Sequence, residues 1–165
     1  MKLLIVTPYA LPRMGGVERY SYELGMKLRE RYQLEVVFVS SRWSRGEDEQ
    51  FDNGGGAKMY KLPYLLKVSS TPVNPSWHSR LTEIIRDERP DVVNGHIPVP
   101  YIADVAARVA QKEGVPFILT YHNDLAGHTL QARLFSGLYK ALMGRRTLGL
   151  ADRVVATSPV YVERS

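Results

Sequence analysis

Cysteine is absent from the chain, which excludes disulfide bonds, iron–sulfur clusters and thiol nucleophiles. Long apolar runs are absent as well, since none approaches the ~18 residues of a membrane span. The run LLIV after Lys2 ends at Thr7 and Pro8, short of the ~7-residue apolar core of a signal peptide. These absences predict a cytoplasmic protein that folds without covalent cross-links.

Several nucleotide- and metal-binding signatures are also missing. The chain has neither the G-x-G-x-x-G fingerprint nor a P-loop lysine, and Ser40, Ser41 and Arg42 stand where a dinucleotide-binding domain carries an acidic residue. The four histidines (78, 96, 122 and 128) show no metal-ligand spacing. Nucleic-acid binding has only net charge to support it, because no recognised module is present.

The composition is typical of one soluble globular domain. With 165 residues, the chain is long enough to bury roughly 70% of its unfolded surface. An excess of 22 basic over 17 acidic residues gives a net charge of +5, which favours anionic partners such as phosphates, nucleotides or anionic lipid surfaces. General solubility explains the same charge equally well.

The first 32 residues predict a strand, a long loop and a helix. Lys2 to Thr7 is a short apolar run without polar alternation, as in a central strand covered on both faces. The loop closes at Gly15 and Gly16. Helical spacing then predicts one core-facing stripe, made of Val17, Tyr20, Leu24 and Leu28.

The remaining chain alternates strands with helices. Strands are predicted at 34–39, 57–62, 91–95, 116–121 and 153–156, and the strand at 57–62 is expected at the edge of the sheet. Helices are predicted at 74–89, 98–113 and 129–148, the first of them with Asn74 as its N-cap. Residues 40–56 are predicted as a surface loop and 63–73 as irregular. This alternation predicts an α/β fold with a Rossmann-like, doubly wound parallel sheet.

Gly15 and Gly16 stand at a helix N-terminus beyond the carboxyl end of the first strand. Without Cβ atoms they let an anion approach unpaired N–H groups, and the helix dipole adds about half a positive charge there. Ligand crevices of open α/β sheets lie at this edge, so a phosphate site is predicted. The alternative is that the two glycines only turn the chain from strand to helix.

Four segments resemble, in order, the signatures of retaining glycosyltransferases with the GT-B fold, the large family of glycogen synthase-like and mannosyltransferase-like enzymes. They are PYALPRMGGVERYSYELGMKLRER, PDVVNGHIPVPYIADVAARV, GVPFILTYHND and ADRVVATSP. The resemblance implies that residues 1–165 are the N-terminal, acceptor-side domain. It further implies a C-terminal domain that grips the nucleotide-sugar and is absent from this sequence, so that the chain alone would be inactive or nearly so.

The resemblance also implies residue roles. Gly15 and Gly16 match the loop that approaches the donor diphosphate, and His122 matches the histidine beside the transferred sugar. Acceptor contacts are implied for four further positions, Tyr9, His96, Asn123 and Asp124. One departure is visible, because relatives often carry His-x-His where this chain has Asn94, Gly95 and His96.

The implied reaction is transfer of a sugar from a nucleoside-diphosphate sugar to a hydroxyl of a sugar or lipid-linked acceptor, with retention at the anomeric carbon. No cofactor and no metal are implied. Basic residues from Arg133 to Arg153 and the segment 58–67 suggest peripheral docking on an anionic membrane, although a solvated surface explains them equally well. The alternatives are a non-catalytic GT-B-like binding module and a dinucleotide-binding oxidoreductase domain.

Overall fold

The computed structural model describes residues 1–11, 15–46, 50–52, 56–68, 71–123, 137 and 139–158. Nine strands lie in these ranges: β1 Lys2–Val6, β2 Glu35–Ser41, β3 Gln50–Asp52, β4 Lys58–Leu62, β5 Leu66–Val68, β6 Thr71–Val73, β7 Val92–Ile97, β8 Phe117–Tyr121 and β9 Arg153–Ala156. The helical segments are α1 Gly16–Tyr32, α2 Trp77–Glu88, α3 Ile102–Glu113, a π-helical turn Lys140–Gly144 and α4 Arg145–Leu150.

Seven strands form one sheet in the order β3-β4-β2-β1-β7-β8-β9. All neighbouring pairs are parallel except β3 with β4, which is antiparallel. The remaining strands, β5 and β6, pair with each other as a separate antiparallel hairpin. Among the described helices, none is both long and apolar enough to cross a membrane.

Both faces of the central strand are covered. Leu4 and Val6 belong to the apolar cluster that includes residues of α2 and α3, whereas Leu3 and Ile5 belong to a second cluster that contacts residues of α1. Alternate side chains of one strand point to opposite faces of a sheet, so the helices lie on both sides of it. The predicted doubly wound, mostly parallel α/β fold is confirmed.

Helix α1 buries small residues most deeply, and the predicted stripe is only partly correct: Leu28 packs against the second apolar cluster, whereas none of the four predicted positions is fully buried. Its buried positions are Glu18, Ser21 and Gly25, while Tyr20 remains 37% exposed. A Cβ atom on Gly25 would stand 2.7 Å from Phe38 and 2.8 Å from Ile5. The helix backbone therefore approaches the sheet more closely than a stripe of large side chains would permit.

Two segments predicted to lack regular structure contain strands. β3 lies within the predicted loop 40–56 and is the edge strand, so the strand at β4 is internal rather than edge-like. The hairpin β5–β6 lies within the predicted irregular segment 63–73. Pro72 did not prevent the hairpin, because both strands of a two-stranded sheet are edge strands, and edge strands tolerate proline.

The start of α2 also differs from the prediction. Asn74 does not cap the helix; its Oδ1 accepts hydrogen bonds from the backbone N–H of Ser76 at 2.9 Å and from the Ser76 hydroxyl at 2.8 Å. Asparagine side chains commonly form such local turns two residues ahead of themselves. The helix therefore begins later, at Trp77.

Residues 129–136 and 138 of the predicted helix 129–148 lie outside the described residues. Its described part contains the π-helical turn and the start of α4. This part is fastened to α3 by the buried Asp104, which accepts hydrogen bonds from the hydroxyls of Tyr139 and Thr147 and, at 2.7 Å, from the backbone N–H of Tyr101.

The amino ends of the strands carry a cluster of paired charges. The Glu88 carboxylate accepts from Lys2 Nζ at 3.3 Å, from Lys58 Nζ and from the Tyr60 hydroxyl at 2.5 Å. Burial raises the pKa of Glu88, but the hydrogen bonds from Lys58, Tyr60 and Lys2 outweigh it and hold that pKa below its usual range. The charges at this edge are therefore matched internally.

We expect Gly25→Ala to destabilise the fold. The added methyl group overpacks the contact with Phe38 and Ile5, at a cost of about 1–3 kcal/mol, and alanine's better helix propensity returns less than about 1 kcal/mol. Gly149→Ala in α4 is the matched control, since its Cβ would meet nothing within 4 Å. Urea unfolding measures both; an unchanged midpoint for Gly25→Ala would contradict the close packing of α1.

Candidate functional site

The sheet has a topological switch point between β1 and β7. These strands are neighbours, yet β1 leads into α1 on one face and β7 leads into α3 on the other. In open α/β sheets this arrangement opens a crevice beyond the carboxyl ends of the two strands, where ligands bind. The candidate site is therefore the carboxyl edge of the sheet around β1, β7 and β8.

Two histidines are in contact at this edge. His96 is the penultimate residue of β7, and His122 directly follows β8. Nδ1 of His96 and Nε2 of His122 are 2.9 Å apart, a hydrogen-bond distance. His96 is fully buried, with 0% of its surface exposed, and its Nε2 has no hydrogen-bond partner among the described residues.

Burial keeps both imidazoles neutral. It lowers the pKa of His96 to about 3, with a smaller contribution from the neighbouring His122, and it also lowers the pKa of His122. A neutral imidazole carries one N–H, so a single proton lies between the two rings and belongs to either of them. In both arrangements Nδ1 of His122 is the ring nitrogen that the pair leaves available.

Tyr20, in the second turn of α1, packs against this histidine pair. Its ring lies edge-on to His122, with centroids 5.0 Å apart, and 6.2 Å from the centroid of His96. Because Tyr20 follows the Gly15–Gly16 turn so closely, the contact brings the N-terminus of α1 to the same edge as the histidines. Sequence periodicity had placed Tyr20 in the core, so this role was missed.

Gly15 and Gly16 are both exposed, but the backbone N–H of Gly15 already forms a hydrogen bond. The backbone N–H of Gly15 donates to the Glu18 carboxylate at 3.0 Å, and a Cβ at position 15 would stand 2.8 Å from that oxygen. Gly16 begins the helix, and a Cβ there would meet nothing within 4 Å. An anion therefore has open access at Gly16. Met14 lies outside the described residues.

Asn94, which replaces the first histidine of the family's pattern, has a structural contact. Its side-chain amide donates to the backbone carbonyl of Ile118 at 3.0 Å and to the Thr120 hydroxyl at 2.9 Å. Both acceptors belong to β8. Asn94 thus ties β7 to β8 below the histidine pair.

The predicted acceptor residues are divided between two places. His96 lies beneath His122, and Asn123 is exposed next to it, whereas Asp124 lies outside the described residues. Tyr9 follows β1 and is only 8% exposed, because Trp43 covers it edge-on with ring centroids 5.0 Å apart. The roles of all four residues stay predictions.

No group of three or more histidine, aspartate or glutamate side chains suited to a metal ion occurs among the described residues. A groove of about 780 Å³ exists at the opposite, amino edge of the sheet. Its lining includes Lys58 and Glu88, which pair with each other. The carboxyl edge, with its neutral histidines, is therefore the stronger candidate.

The buried histidine predicts a loss of stability in mild acid. The unfolded chain binds a proton at His96 below about pH 6.5, whereas the folded chain stays unprotonated there down to about pH 3. Since the unfolded state binds more protons, the free energy of unfolding decreases as the pH is lowered, by about 2 kcal/mol from pH 7 to pH 5.

Urea unfolding at pH 7 and pH 5 tests this. His96→Gln, which keeps a polar side chain but cannot titrate, should reduce the pH-dependent loss, and His78→Gln is the control because His78 is exposed on α2. Equal pH dependence in the parent and in His96→Gln would show that His96 is not buried as a neutral ring.

Comparison with known proteins gives a family for this fold. The sequence model of the family described as Glycosyltransferase Family 4 matches residues 14–164. No curated protein matches the chain in sequence.

Solved structures with a similar fold include three at low sequence identity. MnaA of S. aureus, solved with UDP, is 15% identical with a TM-score of 0.65, and the match covers 98% of this chain and 40% of that one. Sucrose-phosphate synthase of Thermosynechococcus elongatus is 13% identical (TM-score 0.63, covering 99% and 44%), and MurG of Acinetobacter baumannii is 12% identical (TM-score 0.62, covering 97% and 42%).

The chain spans less than half of the length of each of these structures. The likeness of fold extends over nearly all of this chain, and the family match excludes only its first 13 residues and its last residue. The chain belongs to Glycosyltransferase Family 4 and has the fold of a GT-B glycosyltransferase N-terminal domain.

Proposed function

We propose that this chain is the acceptor-binding half of an enzyme that transfers a sugar from a nucleoside-diphosphate sugar to a hydroxyl of a sugar or lipid-linked acceptor, with retention of configuration. A C-terminal domain would hold the donor nucleotide and close over the carboxyl edge. The observation that carries the proposal is the histidine pair at the switch point, beside the exposed N-terminus of α1.

His122 is the residue in this pair that meets the substrate. It is half-buried, its Nε2 is engaged by His96, and Nδ1 is left for a ligand. A neutral imidazole forms a hydrogen bond with a sugar hydroxyl without placing a fixed charge in the site. His96 is a positioning residue in this proposal, because it is fully buried and acts on the sugar only through the ring of His122.

The N-terminus of α1 would receive the donor diphosphate. The first N–H groups of an α-helix have no acceptor within the helix, and the helix dipole favours negative charge there. Glu18 already occupies the N–H of Gly15, so the donors left for phosphate are those that follow, beginning at Gly16. The hydrogen bond from the Gly15 N–H to the Glu18 carboxylate supports this proposal, because it pairs an N–H group of this helix end with an anionic oxygen.

Retention is proposed to follow from front-face attack. The acceptor hydroxyl attacks the anomeric carbon on the side from which the diphosphate leaves, the bond from that carbon to the phosphate oxygen breaks, and the leaving phosphate takes the hydroxyl proton. The protein then contributes by positioning both substrates and by stabilising the developing negative charge. No carboxylate of this chain is required as a nucleophile.

We expect His122→Ala to lower sugar transfer by the full-length protein by more than about tenfold, a loss of about 1.4 kcal/mol or more in transition-state stabilisation. His78→Ala, which removes an exposed histidine on α2, is the matched control and should leave the rate unchanged. Release of nucleoside diphosphate from a panel of UDP-, GDP- and ADP-sugars measures both. Unchanged turnover in His122→Ala would reject the role assigned to this ring.

Gly16→Val tests the phosphate site separately. The space around Gly16 is open, so the fold should tolerate the side chain, but its methyl groups would keep a diphosphate away from the helix N-terminus. The expected result is a donor KM raised roughly tenfold or more. Gly149→Val, also a helical glycine in open space, controls for the cost of a β-branched residue in a helix. A donor KM equal to that of the control would place the diphosphate elsewhere.

A further inference from the structure

A second cluster at the carboxyl edge is not explained by the histidine site. The ammonium group of Lys67 lies over three aromatic rings, 4.4 Å from the centroid of Trp43, 4.6 Å from that of Tyr64 and 5.3 Å from that of Tyr9. It also donates to the backbone carbonyl of Trp43 at 2.6 Å. These four residues are called the aromatic platform below.

The platform lies on the same edge of the sheet as the histidine pair. Tyr9 follows β1, Trp43 follows β2 and Tyr64 follows β4, each within three residues of the carboxyl end of its strand. From β2 to β8 there are three strand spacings of about 4.8 Å, or about 14 Å in all. The platform and the histidine pair are therefore separate places along one edge of the sheet.

Trp43 is the member that faces solvent. It is 40% exposed, although its ring is in T-shaped contact with that of Tyr9 and lies beneath the Lys67 ammonium, whereas Tyr9 is only 8% exposed. A fixed, partly exposed indole offers a flat apolar face at little cost in conformational entropy. Lys67 has three N–H donors, of which the Trp43 carbonyl uses one.

We propose that the aromatic platform is a binding subsite for a sugar ring of the glycosyl acceptor. The apolar C–H face of the ring stacks on Trp43, and the remaining Lys67 N–H groups donate to its oxygen atoms. The subsite lies one or two sugar units away from the hydroxyl that reacts beside His122. This assignment rests on the proposed function and gives it a substrate class, an acceptor that itself contains a sugar.

The alternative is that the cation–π contacts only fasten the hairpin β5–β6 to the segment after β2. Such a structural role predicts that substitutions change stability without changing affinity for sugars. Direct measurement of sugar binding separates the two explanations. The two tryptophans of the chain can report such binding through their fluorescence. Trp43 is partly exposed, and the second tryptophan, Trp77, is fully buried with its indole N–H bonded to the Pro63 carbonyl at 2.7 Å.

The first experiment titrates the chain with maltose, methyl α-D-mannopyranoside and N-acetylglucosamine while tryptophan fluorescence is recorded. We expect at least one sugar to change the emission in a saturable way and to protect Trp43 from quenching by acrylamide. Trp43→Phe should lose the signal, because only the buried Trp77 then emits, and Lys67→Met should weaken the apparent affinity by roughly threefold or more. No saturable response to any of the three sugars would overturn the proposal.

The second experiment measures transfer kinetics in the full-length protein. Trp43→Ala should raise the KM for the acceptor by roughly tenfold, with a much smaller effect on the KM for the donor, and Trp43→Phe should restore most of the loss because it keeps an aromatic face. Tyr32→Ala is the matched control: Tyr32 is also an exposed aromatic under a cation, that of Arg31 at 5.5 Å, but it ends α1 at the opposite edge of the sheet.

The outcomes of the two experiments distinguish failure of the proposed function from failure of the proposed subsite. Sugar binding at Trp43 without any transfer by the full-length protein would count against the proposed function while supporting the subsite. Transfer with an unchanged acceptor KM in Trp43→Ala would retain the proposed function and reject the subsite.

Discussion

The close packing of α1 against β1 and β2 is the constraint on which the carboxyl edge depends. Gly25 permits it, because any Cβ there would collide with Phe38 and Ile5. In the N-terminal half of this helix Glu18 and Ser21 are buried, and Tyr20 contacts the ring of His122. Through Tyr20, the N-terminal half of α1 is thus held at the same edge of the sheet as the histidine pair.

The two edges of the sheet differ in how buried titratable side chains are accommodated. At the amino edge, the buried Glu88 is matched by Lys2, Lys58 and Tyr60, so charge is retained and neutralised within the protein. At the carboxyl edge, burial suppresses charge on His96 and His122 instead. In the proposed function, the N–H groups of the α1 N-terminus that Glu18 leaves unused would bind the negative charge of a nucleoside diphosphate next to these uncharged rings.

Much of this architecture follows from the sequence, and the exceptions have physical reasons. The alternating strands and helices predicted the doubly wound sheet because fully buried strands such as β1 are continuous apolar runs. The buried face of α1 was missed because hydrophobic periodicity finds large side chains, whereas this contact uses Gly25 and Ser21. β3 and the hairpin were missed because three-residue strands depend on their partners more than on their own composition. The contact of His96 with His122 spans 26 residues and comes from strand order, which periodicity does not report.

The proton shared by the two imidazoles has a consequence for the breadth of recognition. With this proton on His96 Nδ1, His122 carries its own proton on Nδ1, which is then a donor; with it on His122 Nε2, His96 carries its own proton on Nε2, and Nδ1 of His122 is an acceptor. Exchange between these two neutral arrangements therefore also adds or removes a proton at the buried Nε2 of His96. Because that nitrogen is buried, Nδ1 of His122 keeps one role, donor or acceptor, for as long as the two rings stay in contact. In the proposed function a sugar hydroxyl, which both donates and accepts, can bind to either arrangement, so that discrimination among sugars would fall to the surrounding contacts.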